Sequence, residues 1–180
     1  SRLVEDVTKN GVGGRYLIQH SAGSGKSNSI TWLAYRLVEV KEEEKNLFDS
    51  VIVITDRKNL DKQISENIRN FVSVSSNFSH SDSSKELESL LIDGKKIITT
   101  TVQKFPYIIE TIGNKLKGKK FAVIIDEAHS SQSGKAAASL STAISGKYKL
   151  SDQMDSEDFI NAIIEARKMP KNASYFAFTA

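Results

Sequence analysis

The sequence predicts a three-layer α/β domain on a mostly parallel sheet, and three observations carry that expectation. The β-branched runs "VIVIT" at 51–55 and "FAVIID" at 121–126 are continuous rather than alternating, as expected of parallel strands covered on both faces. Segments with apolar residues at helical spacing separate the strands, and crossovers of that length return the chain to the same sheet with right-handed connections. At 180 residues and 39% hydrophobic content, the chain has the size of one domain able to bury a single sizeable core.

The elements follow in order. A lead-in over 1–13 precedes a short strand from Tyr16 to Gln19, which ends in a glycine-rich loop. The stripe Ile30, Leu33, Leu37 and Val40 then marks a helix, with Trp32 as a packing residue and "KEEEK" at 41–45 as its solvated end. After the strand at 51–55, Leu60, Ile64, Ile68 and Phe71 mark the next helix. A serine-rich surface loop at 73–84 leads into "KELESLLIDG", a short helix closed by Gly94, and His80 in that loop has no evident partner. "KKIITTTV" is a third strand, followed by a helical segment from Gln103 to Ile112. "NKLKGKK" turns the chain at the amino end of the strand at 121–126 and reads as a solvated connection rather than a nucleic-acid contact. Helices over "GKAAASLSTAI" and "SEDFINAIIEARK" come next, the second capped by Asp155 or Ser156, and "ASYFAFTA" is a last strand.

Composition narrows the classes. A net charge of +3, from 25 basic and 22 acidic residues, leaves the partner open. With no cysteine, disulfide frameworks and thiolate zinc sites are excluded. The longest apolar runs fall far short of the roughly 20 residues needed to span a bilayer, so a soluble protein of the cytoplasm is expected, with no membrane partner.

In α/β sheets of this kind ligands bind outside the carboxyl ends of the strands, and two constellations lie there. The first is "HSAGSGKSNS", between a strand and a helix. Gly23 and Gly25 permit turns that a Cβ would obstruct, so successive backbone N–H groups from Ser21, Ala22, Gly23, Ser24 and Gly25 onward can face phosphate oxygens at a helix N-terminus. Lys26 would reach the β- and γ-phosphates, and the Ser27 hydroxyl would ligate Mg²⁺. Asn28 and Ser29 serve either as helix-start residues or as nucleotide contacts. His20 stands where the usual phosphate-loop pattern has its first glycine. The second constellation is "DEAH", ending a buried strand. Neighbouring acids there are tolerated best beside a cation, which makes Asp126 the metal-side acid and Glu127 the base that activates water. His129 lies two residues on. The ligand expected from the residues is a nucleoside triphosphate with Mg²⁺.

"AGSGKS", "DEAH" and the terminal "FTA" resemble motifs I, II and III of superfamily 2 helicases and translocases, whose motor is a pair of RecA-like domains. More narrowly, "GGRYLIQHSAGSGKSNSITWLAYRL", "VIVITDRKNLDKQI", "TTVQKF" and "VIIDEAHSSQSG" together resemble the motor subunit of type I restriction-modification enzymes. The resemblance implies that residues 1–180 form the first RecA-like domain, a P-loop NTPase lobe within a larger multidomain subunit, and it makes the nucleotide ATP. Within the family's latitude for motif I, His20 is a family marker rather than a defect.

The resemblance further implies double-stranded DNA as partner, together with a second RecA-like domain and the modification and specificity subunits of a restriction complex. "TDRKNLDKQI" is similar to motif Ia, so Arg57 either meets a DNA phosphate or pairs with Asp61. Thr101, Gln103 and Lys104 of "TTVQKF" would contact the sugar-phosphate backbone without reading bases. His129 and Thr179 would relay the γ-phosphate state to the DNA side. No match to the family's adenine-recognising glutamine segment occurs, and the arginine finger, worth on the order of 10³ to 10⁵ in rate, comes from the second lobe. The 180 residues alone are therefore expected to bind ATP weakly and turn it over slowly. Two further readings remain: a superfamily 2 RNA or DNA helicase outside restriction, and a module that binds ATP without hydrolysing it.

Overall fold

Helix α1, Arg2–Asn10, opens the chain and is followed by strand β1, Arg15–Gln19, and helix α2, Lys26–Glu39. The computed structural model describes residues 2–20, 25–55, 58–71, 78–101, 104–126 and 170–179. A hairpin of β2, Lys41–Glu42, and β3, Lys45–Asn46, precedes β4, Ser50–Thr55, and α3, Lys58–Phe71. Next come β5, Phe78–His80; α4, Ser84–Ile92; β6, Ile97–Thr101; α5, Phe105–Glu110; a π-helical turn, Thr111–Lys115; β7, Phe121–Asp126; and β8, Ala173–Thr179. The two helices expected between 134 and 168 lie outside the described residues.

Six strands form one sheet in the order β1-β8-β7-β4-β6-β5, with every neighbouring pair parallel. Strand alternation divides their side chains between two cores. Ile52, Ile54, Val123 and Ile125 pack with Leu87 and Leu91 of α4 and Ile108 and Ile109 of α5. Val51, Val53, Ala122 and Ile124 pack with Val7 of α1, Leu33 and Leu37 of α2 and Ile64 and Ile68 of α3. The sheet is thus covered on both faces, the three-layer α/β architecture expected, and β4 and β7 are buried at every position because helices shield both sides. Val7 is fully buried, so the lead-in contributes to the core through α1.

Two expectations are corrected. "KEEEK" is a hairpin rather than a helix end: Val40 turns extended at ψ 127°, and Glu43 and Glu44 take positive φ values of 48° and 69°, a twist that joins two short antiparallel strands. The serine-rich stretch contains the edge strand β5, where Phe78 is buried and His80 bonds Thr99 Oγ1 at 3.0 Å and Asp82 Oδ1 at 3.1 Å. Thr99 in turn bonds Ser65 of α3 at 3.0 Å, so His80 has a buried polar chain to join. "NKLKGKK" leads out of the π-helical turn largely exposed, as the solvated connection expected; Lys115 pairs with Glu88, Lys120 with Glu42, and Lys119 donates to the carbonyls of Leu91 and Ile92. Trp32 packs at the surface of α2, 40% exposed with the Arg36 guanidinium 6.0 Å from its ring centre.

Other boundaries follow the pattern of the residues. Ser83 caps α4 by accepting from the Glu86 N–H, and Gly94 at φ 74° ends it. Among the described residues no helix is long and apolar enough to cross a membrane.

Candidate nucleotide site

The sheet order places β8 between β1, which carries the glycine-rich loop, and β7, which carries Asp126. Contact between the two constellations therefore depends on α2. Gly25 takes the left-handed conformation at φ 84°, ψ 34°, a turn that suits glycine, and its carbonyl accepts from the N–H groups of Asn28 and Ser29 at 3.0 and 3.1 Å. Helix α2 starts at the next residue, Lys26, whose Nζ lies 2.7 Å from Asp126 Oδ1.

Burial explains why that ion pair matters. The Asp126 side chain is 1% exposed and that of Lys26 24%. A carboxylate so removed from water is tolerated beside a cation, while the lysine keeps access to the open side of the sheet edge.

Three contacts fix the first turn of α2. His20 Nε2 shares a hydrogen bond with Ser29 Oγ at 2.9 Å, and the His20 ring tilts against Phe178 with centroids 6.4 Å apart. Asn67 of α3 donates to Asn28 Oδ1 at 3.3 Å, and Thr31 Oγ1 donates to the Ser27 carbonyl at 2.8 Å. His20 thus joins the end of β1 to the helix beyond the loop, spanning residues 21–28. Its substitution for glycine leaves the helix start intact.

The registers draw a row of side chains across the carboxyl edge on the face of α2. Ile18 pairs with Phe178, Phe178 with Asp126, and Thr55 with Thr101. Since Ile54 pairs with Ile125, the next residues along, Thr55 and Asp126, are neighbours. Thr55 is fully buried and its Oγ1 has no hydrogen-bond partner among the described residues. Sequence reasoning gave Thr55 no role at this site; its place at the end of "VIVIT", level with the end of "FAVIID", was the available signal.

Of the expected site residues, the structure brings together Gly25, Lys26, Ser27, Asn28 and Asp126. Thr101 ends β6 two strands from Asp126, and half-buried Lys104 precedes α5 at the same sheet edge. The backbone of Thr179 ends β8 beside Gln19. Ser21, Ala22, Gly23, Ser24, Arg57, Gln103, Glu127 and His129 lie outside the described residues.

This donor set fits a magnesium nucleotide: a helix N-terminus for phosphate, a partly exposed ammonium, a hydroxyl at Ser27 and a buried carboxylate that already holds a cation. The chain is similar over 125 residues, at 32% identity, to the C-terminal part of the type I restriction enzyme MpnIIP endonuclease subunit of Mycoplasma pneumoniae, covering 66% of this chain and 57% of that one. It is 35% identical over 141 residues to the type I restriction enzyme MjaIXP endonuclease subunit of Methanocaldococcus jannaschii, covering 71% and 12% of the two chains. The chain thus spans little more than half of the first relative and about an eighth of the second. Among solved structures, the Pyrococcus furiosus Hef helicase domain aligns with 99% of this chain and 32% of its own, at 17% identity and a TM-score of 0.46. The family model described as SWI2/SNF2 ATPase matches residues 1–180. A match over every residue, around a site suited to a magnesium nucleotide, concerns the chain as a whole: it belongs to the SWI2/SNF2 ATPase family.

Proposed function

We propose that this chain is the ATP-binding motor lobe of a type I restriction endonuclease subunit, coupling ATP hydrolysis to movement along double-stranded DNA before cleavage. The Lys26–Asp126 pair carries this reading, because it joins the phosphate-loop helix to the buried acid at one sheet edge. The relatives named type I restriction endonuclease subunits support a restriction setting; on this reading the lobe works in the cytoplasm, in a complex with modification and specificity subunits.

Lys26 has three donors on one ammonium, and meeting the β- and γ-phosphate oxygens requires it to turn from Asp126 toward the loop. The backbone of residues 21–25 and the side chains of Ser27 and Asn28 complete the phosphate cradle. Bound Mg²⁺, held by Ser27 and Asp126, would neutralise charge on the phosphates and polarise the γ-phosphoryl group. Glu127 takes the proton of the attacking water. Arg57, Thr101, Gln103 and Lys104 contact the sugar-phosphate backbone of DNA, which suits a motor that must pass over any sequence. His129 and Thr179 pass the state of the γ-phosphate to that surface, and a second RecA-like domain of the parent chain closes over the nucleotide.

Lys26→Ala in the complete restriction enzyme tests the reading. Translocation and cleavage at remote sites should be lost while methylation of the recognition site continues; remote cleavage at the wild-type rate would sink the motor assignment. Stimulation of the ATPase by duplex DNA is expected, and stimulation by RNA instead would favour a helicase outside restriction.

A further inference from the structure

We propose that Thr55 is a positioning residue for Asp126, holding the carboxylate in place when Lys26 leaves it for phosphate. The inference rests on the reading of Asp126 as the metal-side acid.

Thr55 and Asp126 follow a register pair on adjacent parallel strands, which stand about 4.8 Å apart. They share a face as well. Thr55 continues the alternation of Val51 and Val53, and Asp126 that of Ala122 and Ile124, and all four of those residues pack into the core beneath α2 and α3. Lys26 approaches Asp126 from that side.

The Thr55 hydroxyl is out of place as a structural group. It is fully buried, and Oγ1 has no hydrogen-bond partner among the described residues. Burying a hydroxyl unpaired opposes folding, and valine would fill the same volume without that cost. Its neighbours along β4 are Val51, Ile52, Val53 and Ile54, so valine suits the strand. A hydroxyl retained at this position has its use in another state of the site.

Nucleotide binding creates that state. In the structure Asp126 Oδ1 is satisfied by Lys26. Once the ammonium faces phosphate, the buried carboxylate has lost one of the contacts that hold its rotamer. A threonine hydroxyl offers one donor and two acceptor sites, so Thr55 can donate to the carboxylate and accept from a water on the metal side. Groups that orient a metal-side carboxylate in this way typically contribute about 10- to 100-fold in metal affinity or activity.

The test uses the complete parent subunit with Thr55→Val, Thr55→Ser and Lys26→Ala. Thermal unfolding without nucleotide is measured first. Binding of a fluorescent ATP analogue with and without Mg²⁺, and kcat and KM for ATP, follow. Thr55→Val should unfold at the wild-type temperature or above it, yet lose about tenfold of the Mg²⁺-dependent gain in nucleotide affinity and about tenfold in kcat. Thr55→Ser, which restores the hydroxyl, should recover both to within about twofold of wild type. Wild-type Mg²⁺ dependence and kcat in Thr55→Val would overturn the proposal, as would a lowered unfolding temperature without nucleotide, which would assign the hydroxyl to the fold. Lys26→Ala separates the two readings: if it too retained full ATPase activity, the nucleotide site itself would be misassigned.

Discussion

Lys26 Nζ lies 2.7 Å from Asp126 Oδ1, although the strands that lead to the two residues are separated by β8. The pair is lopsided in burial, and the two single substitutions should differ accordingly. Lys26→Met leaves a carboxylate at 1% exposure without its cation, whereas Asp126→Asn leaves an ammonium with water at hand. Removing one partner of a fully buried pair costs about 3–5 kcal/mol, and the partial exposure of Lys26 lowers that here to about 2 kcal/mol. Denaturant unfolding of the nucleotide-free parent subunit should show Lys26→Met as the more damaging change; equal losses would mean that Asp126 is less dependent on Lys26 than its burial implies.

The bond between His20 and Ser29 makes a prediction about the missing glycine. His20→Gly restores the common phosphate-loop residue but removes the link between β1 and α2. A hydrogen bond of this kind contributes about 0.5–1.5 kcal/mol, so nucleotide affinity of the parent subunit should fall about 2- to 10-fold. Ser29→Ala should give the same loss, and the double substitution little more than either alone. Tighter binding in His20→Gly would show that histidine is a defect after all.

The strands of the central sheet were legible because helices on both faces leave their sequences no polar positions before the edge; "VIVIT" and "FAVIID" could have no other partner than apolar layers. The lysine and the acid were legible from their chemistry. Less so was β5, whose three residues include a single apolar one, Phe78, and which takes its order from His80 reaching Thr99, a contact between residues 19 apart. The β2–β3 hairpin hid behind charge, since Glu43 and Glu44 take positive φ without the glycine or asparagine that announces such turns. Thr55 was silent for a different reason: its significance lies in register with Asp126, and sequence spacing does not display register.

Asn172 supports the end of the sheet opposite the nucleotide. Its Nδ2 donates to the carbonyls of Ile112, Leu116 and Lys119 at 3.2, 3.1 and 2.9 Å, tying the π-helical turn to the start of β8. Three carbonyls converging on one donor group reject a carboxylate. Asn172→Asp should therefore destabilise more than Asn172→Ala, by about 2–4 against about 1–2 kcal/mol, as read from denaturant unfolding at neutral pH. Protonation below the aspartate range returns one donor, so the gap between the two variants should narrow in acid.

Glu88 gives the fold a pH dependence of its own on the opposite face. Its carboxyl accepts from Lys115 Nζ at 2.6 Å and from the Tyr107 hydroxyl, joining α4 to α5 and the π-helical turn. The lysine bond first, and the tyrosine bond second, hold the Glu88 carboxyl below the usual glutamate range. Glu88 in return raises Lys115 and Tyr107 above their ordinary values. A depressed carboxyl stabilises the fold above its unfolded-state pKa and loses that contribution as pH falls through the folded value; the raised lysine contributes below its unfolded-state pKa and loses the contribution as pH rises through the folded one. The cluster is therefore at full strength around neutrality. Thermal unfolding of the parent subunit across pH should show wild type above Glu88→Gln near pH 7, with the difference shrinking on acidification below the glutamate range. A difference that persisted unchanged into acid would assign the effect of Glu88 to packing rather than to its charge.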